Sequence, residues 1–165
     1  MKISFRLANS NEIDIAFNLL KQAANRLKSK NINQWKYWIN PSVEKIQWIM
    51  DGFENNEFNF ILDGESIIGM FRLLDKDELY WGKKNDCSNY LHSLVIIDDY
   101  VGLNIGRDVL KEVIHQSKDK GISFFRLDCN ASNTKLCKYY ESIGFRKVGD
   151  VDMPHSLNNL YQIDF

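Results

Sequence analysis

The hydrophobic pattern predicts an alternation of strands and helices along the whole chain. Residues 3–7 alternate apolar and polar side chains, as a half-buried strand does. Asn9-Ser10-Asn11-Glu12 follows, a capping residue with an acid three positions later, which predicts a helix start. Ile13, Ala16, Phe17, Leu20, Ala24 and Leu27 carry that helix to about Lys28. A second helix is expected to open at Asn40-Pro41, since proline fits the first turn, with Ile46, Ile49, Met50 and Phe53 as its apolar stripe. Strand-like runs at 58–62 and 66–73 flank Asp63-Gly64 and predict a β-hairpin. Residues 78–81 read as the tail of this meander or as a short strand of their own.

The strongest strand signal spans 90–97, where β-branched and aromatic residues end in a wholly apolar run from Leu94 to Ile97, as in a central strand covered on both faces. A helix is expected over 104–120, with Gly121 just beyond it. The pattern then gives a strand at 124–128, a helix at 133–142 ended by Gly144, and strands at 145–151 and 160–165. The order β-α-α-β-β-β-α-β-α-β-β predicts an α/β (α+β) fold around a mixed sheet. With no repeat, no Pro/Gly/Ser-rich linker and only two prolines, one continuous domain over 1–165 is the expectation.

Composition removes several function classes. The 165 residues carry 21 Lys plus Arg against 22 Asp plus Glu, without the basic surplus that supplies most nucleic-acid affinity. Cys87, Cys129 and Cys137 are odd in number and lack a CxxC, which fits reduced thiols better than a disulfide framework or a zinc site. No apolar run approaches the roughly 20 residues of a membrane span, and the first residues lack the apolar stretch of a signal peptide. A soluble cytoplasmic protein, with neither nucleic acid nor membrane as partner, is expected.

The segment from Leu94 through Ile97-Asp98-Asp99-Tyr100-Val101-Gly102-Leu103-Asn104-Ile105-Gly106 runs from a strand through a short loop into a helix. Unpaired N–H groups of a helix's first turn and its dipole make such a junction an anion site, although a plain strand-to-helix turn would carry the same glycines. The second informative segment, Asn133 to Phe145, follows the next strand. Together the two resemble the signatures of the GNAT superfamily of N-acetyltransferases. Leu94, Ile96, Tyr100, Gly102 and Gly106 match L-x-V-x-P-x-Y-[RQ]-G-x-G-x-G, and Asn133, Tyr140, Glu141, Gly144 and Phe145 match N-x-x-A-x-x-x-Y-E-x-x-G-F.

The resemblance implies a mixed, mostly antiparallel central sheet flanked by helices on both faces. It also implies acetyl-CoA as co-substrate, no metal, and direct acetyl transfer to a primary amine. Backbone groups of the segment Val101, Gly102, Leu103, Asn104, Ile105, Gly106 and Arg107 would hold the CoA pyrophosphate. Leu94, Val95 and Ile96 would pair with the pantetheine arm like an added strand. Asn133 would touch the cofactor, and Tyr140 would sit near the sulfur and protonate the departing thiolate. Two departures from the family pattern bear on the loop: Val101 replaces an Arg or Gln, and Asn104 replaces the middle glycine. Asn visits left-handed conformations readily and caps helices, so the backbone cradle survives the second change.

A base must deprotonate the attacking amine. His92 is the candidate, sharing a face with Tyr90, Leu94 and Ile96 if alternation holds along the strand, and its ordinary pKa suits neutral chemistry. A hydrogen-bonded core histidine is the other reading. Asp128 either faces the same cleft or caps a turn at the strand end. Glu141 reads as a surface residue. His115 and His155, without an acidic or sulfur partner close in sequence, read as surface residues too. Cys129 and Cys137 read as small buried fillers.

Trp35, Tyr37, Trp38 and Trp48 form either a minor core or an aromatic wall that receives an amine by cation–π contact. Asp75, Asp77 and Glu78 either attract a cationic acceptor or form a polar turn. The resulting expectation is an N-acetyltransferase acting on a small-molecule or peptide amine, with room for a homodimer. A non-catalytic CoA-binding or protein-interaction module of the same fold is the alternative.

Overall fold

A computed structural model describes residues 2–165. Seven strands form one mixed sheet in the order β1-β2-β3-β4-β5-β7-β6. They are β1 (Ile3–Leu7), β2 (Phe58–Asp63), β3 (Ser66–Leu74), β4 (Ser88–Ile96), β5 (Phe124–Asn130), β6 (Arg146–Met153) and β7 (Ser156–Asp164). Among the described residues five α-helices accompany them: α1 (Ile13–Ser29), α2 (Val43–Glu54), α3 (Glu78–Trp81), α4 (Ile105–Asp119) and α5 (Thr134–Ile143). None is long and apolar enough to cross a membrane. The chain divides into two compact units, one comprising residues up to Leu73 with Ser93–Val109, the other Leu74–His92 with Leu110–Phe165.

In the first unit, β1 pairs antiparallel with β2 from Ile3↔Asp63 to Leu7↔Asn59, and β2 pairs antiparallel with β3. The hairpin predicted at Asp63-Gly64 is present, with Gly64 at φ +60 where a side chain would be strained. Leu20, Ile49, Phe60 and Met70 are completely buried, and Trp35, Tyr37 and Trp48 pack against their cluster. The Asn9–Glu12 capping box opens a turn of 3-10 helix, Ser10–Glu12, that leads directly into α1. Helix α2 starts later than expected at Asn40-Pro41, because Ser42 is its N-cap and accepts from the Lys45 N–H at 3.3 Å.

In the second unit, β4 pairs in parallel with β5 over Ser88–Leu91 and Phe124–Leu127, β5 is antiparallel to β7, and β7 to β6. Leu74, Tyr80, Trp81 and Tyr90 form a buried cluster closed by Val151, Met153 and Leu160. Beside it the buried Arg126 guanidinium bonds Asp86, Ser88, Tyr90 and Gln162, so the charge is fully partnered. Residues 78–81 are a helical turn, not a strand. The Asp77 carboxylate accepts from the Tyr80 N–H at 3.4 Å at its start, and Gly82 ends it at φ +67.

Candidate functional site

The first signature occupies the end of β4, the loop and the start of α4. Tyr100 donates its hydroxyl to Asp63 at 3.1 Å, which raises the phenol pKa. Arg26 pairs with Asp98. These two contacts fasten the loop to the β2–β3 turn and to α1. The N–H groups of Val101 and Leu103 are engaged in turns, to Asp98 at 3.1 Å and Tyr100 at 3.4 Å. Gly102 has φ +88 and Asn104 has φ +61, so asparagine does adopt the left-handed conformation expected of it.

The Asn104 carbonyl accepts from the N–H groups of Arg107 and Asp108. The backbone N–H of Arg107 is therefore engaged within the fold. A helix start leaves the N–H groups of its first turn without intrahelical acceptors, which makes the segment from Gly102 to Gly106 chemically suited to a phosphate. Val101 and Leu103 are exposed there, at 44% and 55%.

Along β4, Ser93 takes φ +54. A left-handed residue inside a strand interrupts the pleat as a β-bulge does. The alternation expected to put His92 on one face with Leu94 and Ile96 therefore stops at Ser93. Tyr90 and His92 keep their common side: the Tyr80 ring lies 5.1 Å from His92 and the Trp81 ring 5.8 Å from Tyr90. Val95 and Ile96 are buried and Leu94 half-buried.

His92 lies between two carboxylates. Its Nε2 is 2.7 Å from Asp77 Oδ2, and its Nδ1 faces Asp128 Oδ1 at 3.6 Å. The three side chains are 5–11% exposed, deep enough for their charges to matter. Asp128 Oδ2 accepts from Asn158 Nδ2 at 2.6 Å. β5 continues to Asn130, so Asp128 lies within the strand and does not cap its end. Asp77, read from the sequence either as an attractor of a cationic acceptor or as part of a polar turn, instead contacts His92, a role that sequence reasoning missed. The sequence around it carried no signal of that contact, since residues 78–81 read as strand-like. One ligand atom from each of Asp77, His92 and Asp128 lies within 4.8 Å of the others, so the trio has the donor types of a divalent-cation site.

The second signature forms α5 and its ends. Asn133 is the N-cap, accepting from the Leu136 N–H at 3.2 Å, so its side-chain oxygen is used within the fold. Tyr140 is half-buried against Phe145 and Tyr161, with ring centroids at 5.8 and 6.2 Å. Desolvation, followed by nearby Cys129, Tyr139, Asp128 and Cys137, pushes its phenol pKa far up and keeps it protonated. Glu141 accepts from Tyr161 at 3.0 Å. Cys129 and Cys137 are buried with sulfurs 3.6 Å apart, and burial pushes the Cys129 thiol up.

His115 is exposed but does have an acidic neighbour, Asp119 at 3.4 Å, one helical turn on. His155 is exposed as well. The aromatic faces of the first unit already hold cations from the chain itself. Lys45 Nζ lies 4.1 Å from the Tyr37 ring centroid, and the Arg72 guanidinium lies 3.9 Å from that of Trp48.

Comparison with known proteins bears on the family and the fold. The acetyltransferase (GNAT) family model matches residues 33–145. A thialysine N-epsilon-acetyltransferase of Sus scrofa is 33% identical over 67 residues, covering 41% of this chain and 39% of that protein. A GNAT-family acetyltransferase of Listeria monocytogenes superposes with a TM-score of 0.80 at 20% identity, over 99% of this chain and 95% of that one. An aminoglycoside acetyltransferase solved with coenzyme A has a TM-score of 0.73 at 15% identity, over 99% and 95% of the respective chains.

Proposed function

The chain belongs to the GNAT acetyltransferase family, and we propose that it moves the acetyl group of acetyl-CoA onto a primary amine by direct attack of the amine on the thioester. The observation that carries the reading is the imidazole of His92 with a carboxylate at each ring nitrogen, 2.7 Å and 3.6 Å away. An amine is protonated in neutral water and must lose that proton before its nitrogen can attack. His92 takes the proton, and Asp77 and Asp128 stabilise the imidazolium. Bound acetyl-CoA supplies the activated acetyl group.

As the C–N bond forms and the C–S bond breaks, Tyr140 gives its proton to the departing thiolate. It then regains one from the newly acetylated nitrogen. One proton per turnover leaves by way of His92. The backbone from Gly102 to Gly106 suits the CoA pyrophosphate, and that of Leu94, Val95 and Ile96 the pantetheine. The coenzyme A held by the related aminoglycoside acetyltransferase supports CoA as the ligand. The scheme uses no metal. The names of the relatives, one acting on thialysine and one on aminoglycosides, support a small-molecule amine as acceptor.

Thermal unfolding with acetyl-CoA, free CoA and ATP tests the cofactor. Ligand at one hundred times its dissociation constant adds about 2.7 kcal/mol, a shift of roughly 2–8 °C for domains near this size. A shift with both CoA species and none with ATP is expected, followed by amine-dependent release of thiol. No shift at saturation overturns the proposal. Val101, exposed where the family has Arg or Gln, favours a second reading as a non-catalytic CoA binder. A shift without thiol release from any small amine selects that reading.

A further inference from the structure

We propose that Asp77 is the positioning residue of the His92 base: by accepting a hydrogen bond from Nε2–H it fixes the imidazole tautomer and leaves Nδ1 to receive the proton of the acceptor amine. This rests on the acetyl-transfer reading and adds to it a residue that neither GNAT signature contains. Three observations carry it. The 2.7 Å separation of His92 Nε2 from Asp77 Oδ2 is a normal charge-assisted hydrogen bond, whereas the 3.6 Å separation of Nδ1 from Asp128 Oδ1 is beyond hydrogen-bond range. An ionised carboxylate only accepts, so the short contact with Asp77 assigns the hydrogen of the neutral ring to Nε2.

Asp77 is itself held in place. It is buried, and its other oxygen accepts from the Tyr80 N–H as the N-cap of α3, whose Tyr80 ring rests against His92. Helix α3 thus places both a carboxylate and an aromatic surface on the imidazole. Among the groups facing His92 are Asp77 from the start of α3, Tyr80 from α3 and Asp128 from β5. When Nδ1 takes the amine proton, the ring becomes an imidazolium with Asp77 on one side and Asp128 on the other. The proton later passes from Nδ1 to solvent, and the neutral Nε2–H form returns.

Asp77→Asn tests this because the amide can still cap α3 but turns an N–H toward Nε2, which forces the hydrogen onto Nδ1. At neutral pH kcat should fall about 10²–10⁴-fold, the scale of losing a correctly oriented base. KM for acetyl-CoA should stay within about two-fold, because binding does not use this bond. The acid limb of the pH–rate profile should move to lower pH, since the imidazolium has lost a carboxylate. Asp77→Glu should recover part of kcat.

Nitrogen-15 NMR of the imidazole gives a reading independent of activity. The wild-type chain should show the Nε2–H tautomer at His92, and Asp77→Asn the Nδ1–H tautomer. A wild-type Nδ1–H tautomer, or an Asp77→Asn variant with unchanged kcat and pH profile, overturns the proposal. If no amine is acetylated by the wild type, the acetyl-transfer reading fails, while the NMR result still decides whether Asp77 sets the tautomer.

Discussion

Asn158 donates its side-chain N–H to Asp128 Oδ2 at 2.6 Å, from the neighbouring strand of an antiparallel pair. The register sets Asn158 opposite Asn130, two residues along β5 from Asp128, so the two side chains are diagonal neighbours on one face. Asn158 is 6% exposed, and its amide belongs to a buried polar chain running through Asp128 to His92 and Asp77. Asn158→Ala should cost about 1–3 kcal/mol, the scale for removing a buried hydrogen bond to a charged group. Urea unfolding measures it. Asn158→Asp should cost more at neutral pH, because it sets a second carboxylate against Asp128.

Tyr140→Phe separates acid from packing. The ring's contacts with Phe145 and Tyr161 do not need the hydroxyl. Affinity for CoA in the thermal-shift assay and stability should therefore stay close to wild type. Turnover should fall by about 10²-fold or more, as expected for loss of a general acid. Wild-type turnover in this variant removes the tyrosine from the mechanism.

Glu12 links stability to acid pH. Its carboxylate accepts from Arg6 at 2.7 and 2.9 Å and from the Asn9 N–H at 2.8 Å, and it is held at about 2. The folded value lies below the unfolded one, so the stabilisation is present above the unfolded carboxylate pKa and disappears as pH falls from there toward about 2. Arg6 is 37% exposed, and solvent screening holds the contribution to the order of 1 kcal/mol. Glu12→Gln should therefore be less stable than wild type at neutral pH and nearly equal to it at the acid end. Urea midpoints measured across that range check the convergence.

Gly69 has no room for a side chain. A Cβ there would lie 2.2 Å from the Val95 carbonyl oxygen and 3.0 Å from Ile96. Because the first obstacle is backbone, Gly69→Ala should destabilise by about 2–3 kcal/mol or more. Gly64→Ala, which meets nothing within 4 Å and suffers only from its φ of +60, should cost about 1 kcal/mol. Thermal unfolding of the two variants ranks them.

Most of the fold was legible because the strands and long helices announce themselves by period. Gly64, Gly121 and Gly144 all adopt the positive φ that their turn or cap positions implied. Helix α3 was not legible, since four residues, Glu78–Trp81, are too short for a helical period to register. The bulge at Ser93 was equally hidden, because a serine amid a β-branched run carries no mark of a left-handed backbone. That one residue breaks the face-sharing that simple alternation assigned to His92, Leu94 and Ile96.

At the site, His92, Asp128 and Tyr140 could be named from residue type and motif, but their partners could not. Asp77 reaches His92 across fifteen positions of sequence, and Asn158 reaches Asp128 across thirty. Each is a tertiary contact made by a residue type common in turns. Asn133 illustrates the converse: its place in the second signature was plain, while its side chain as N-cap of α5 emerged only from the structure. For the aromatic cluster, neither its composition nor its spacing told whether its cation seats were vacant, and Lys45 and Arg72 sit in two of them.

The distribution of the four tryptophans gives the protein a built-in optical contrast. Trp35, Trp38 and Trp48 belong to the first unit, and Trp81 alone to the second. Replacing the first three by phenylalanine leaves a single tryptophan, packed beneath the Arg126 guanidinium at 5.1 Å and adjacent in sequence to the Tyr80 that rests on His92. Its emission would follow the surroundings of the Asp77–His92–Asp128 chain, while a Trp81→Phe variant would leave the other three to report on the aromatic cluster. Two parts of one polypeptide can thus be watched in different signals as it melts or meets a ligand.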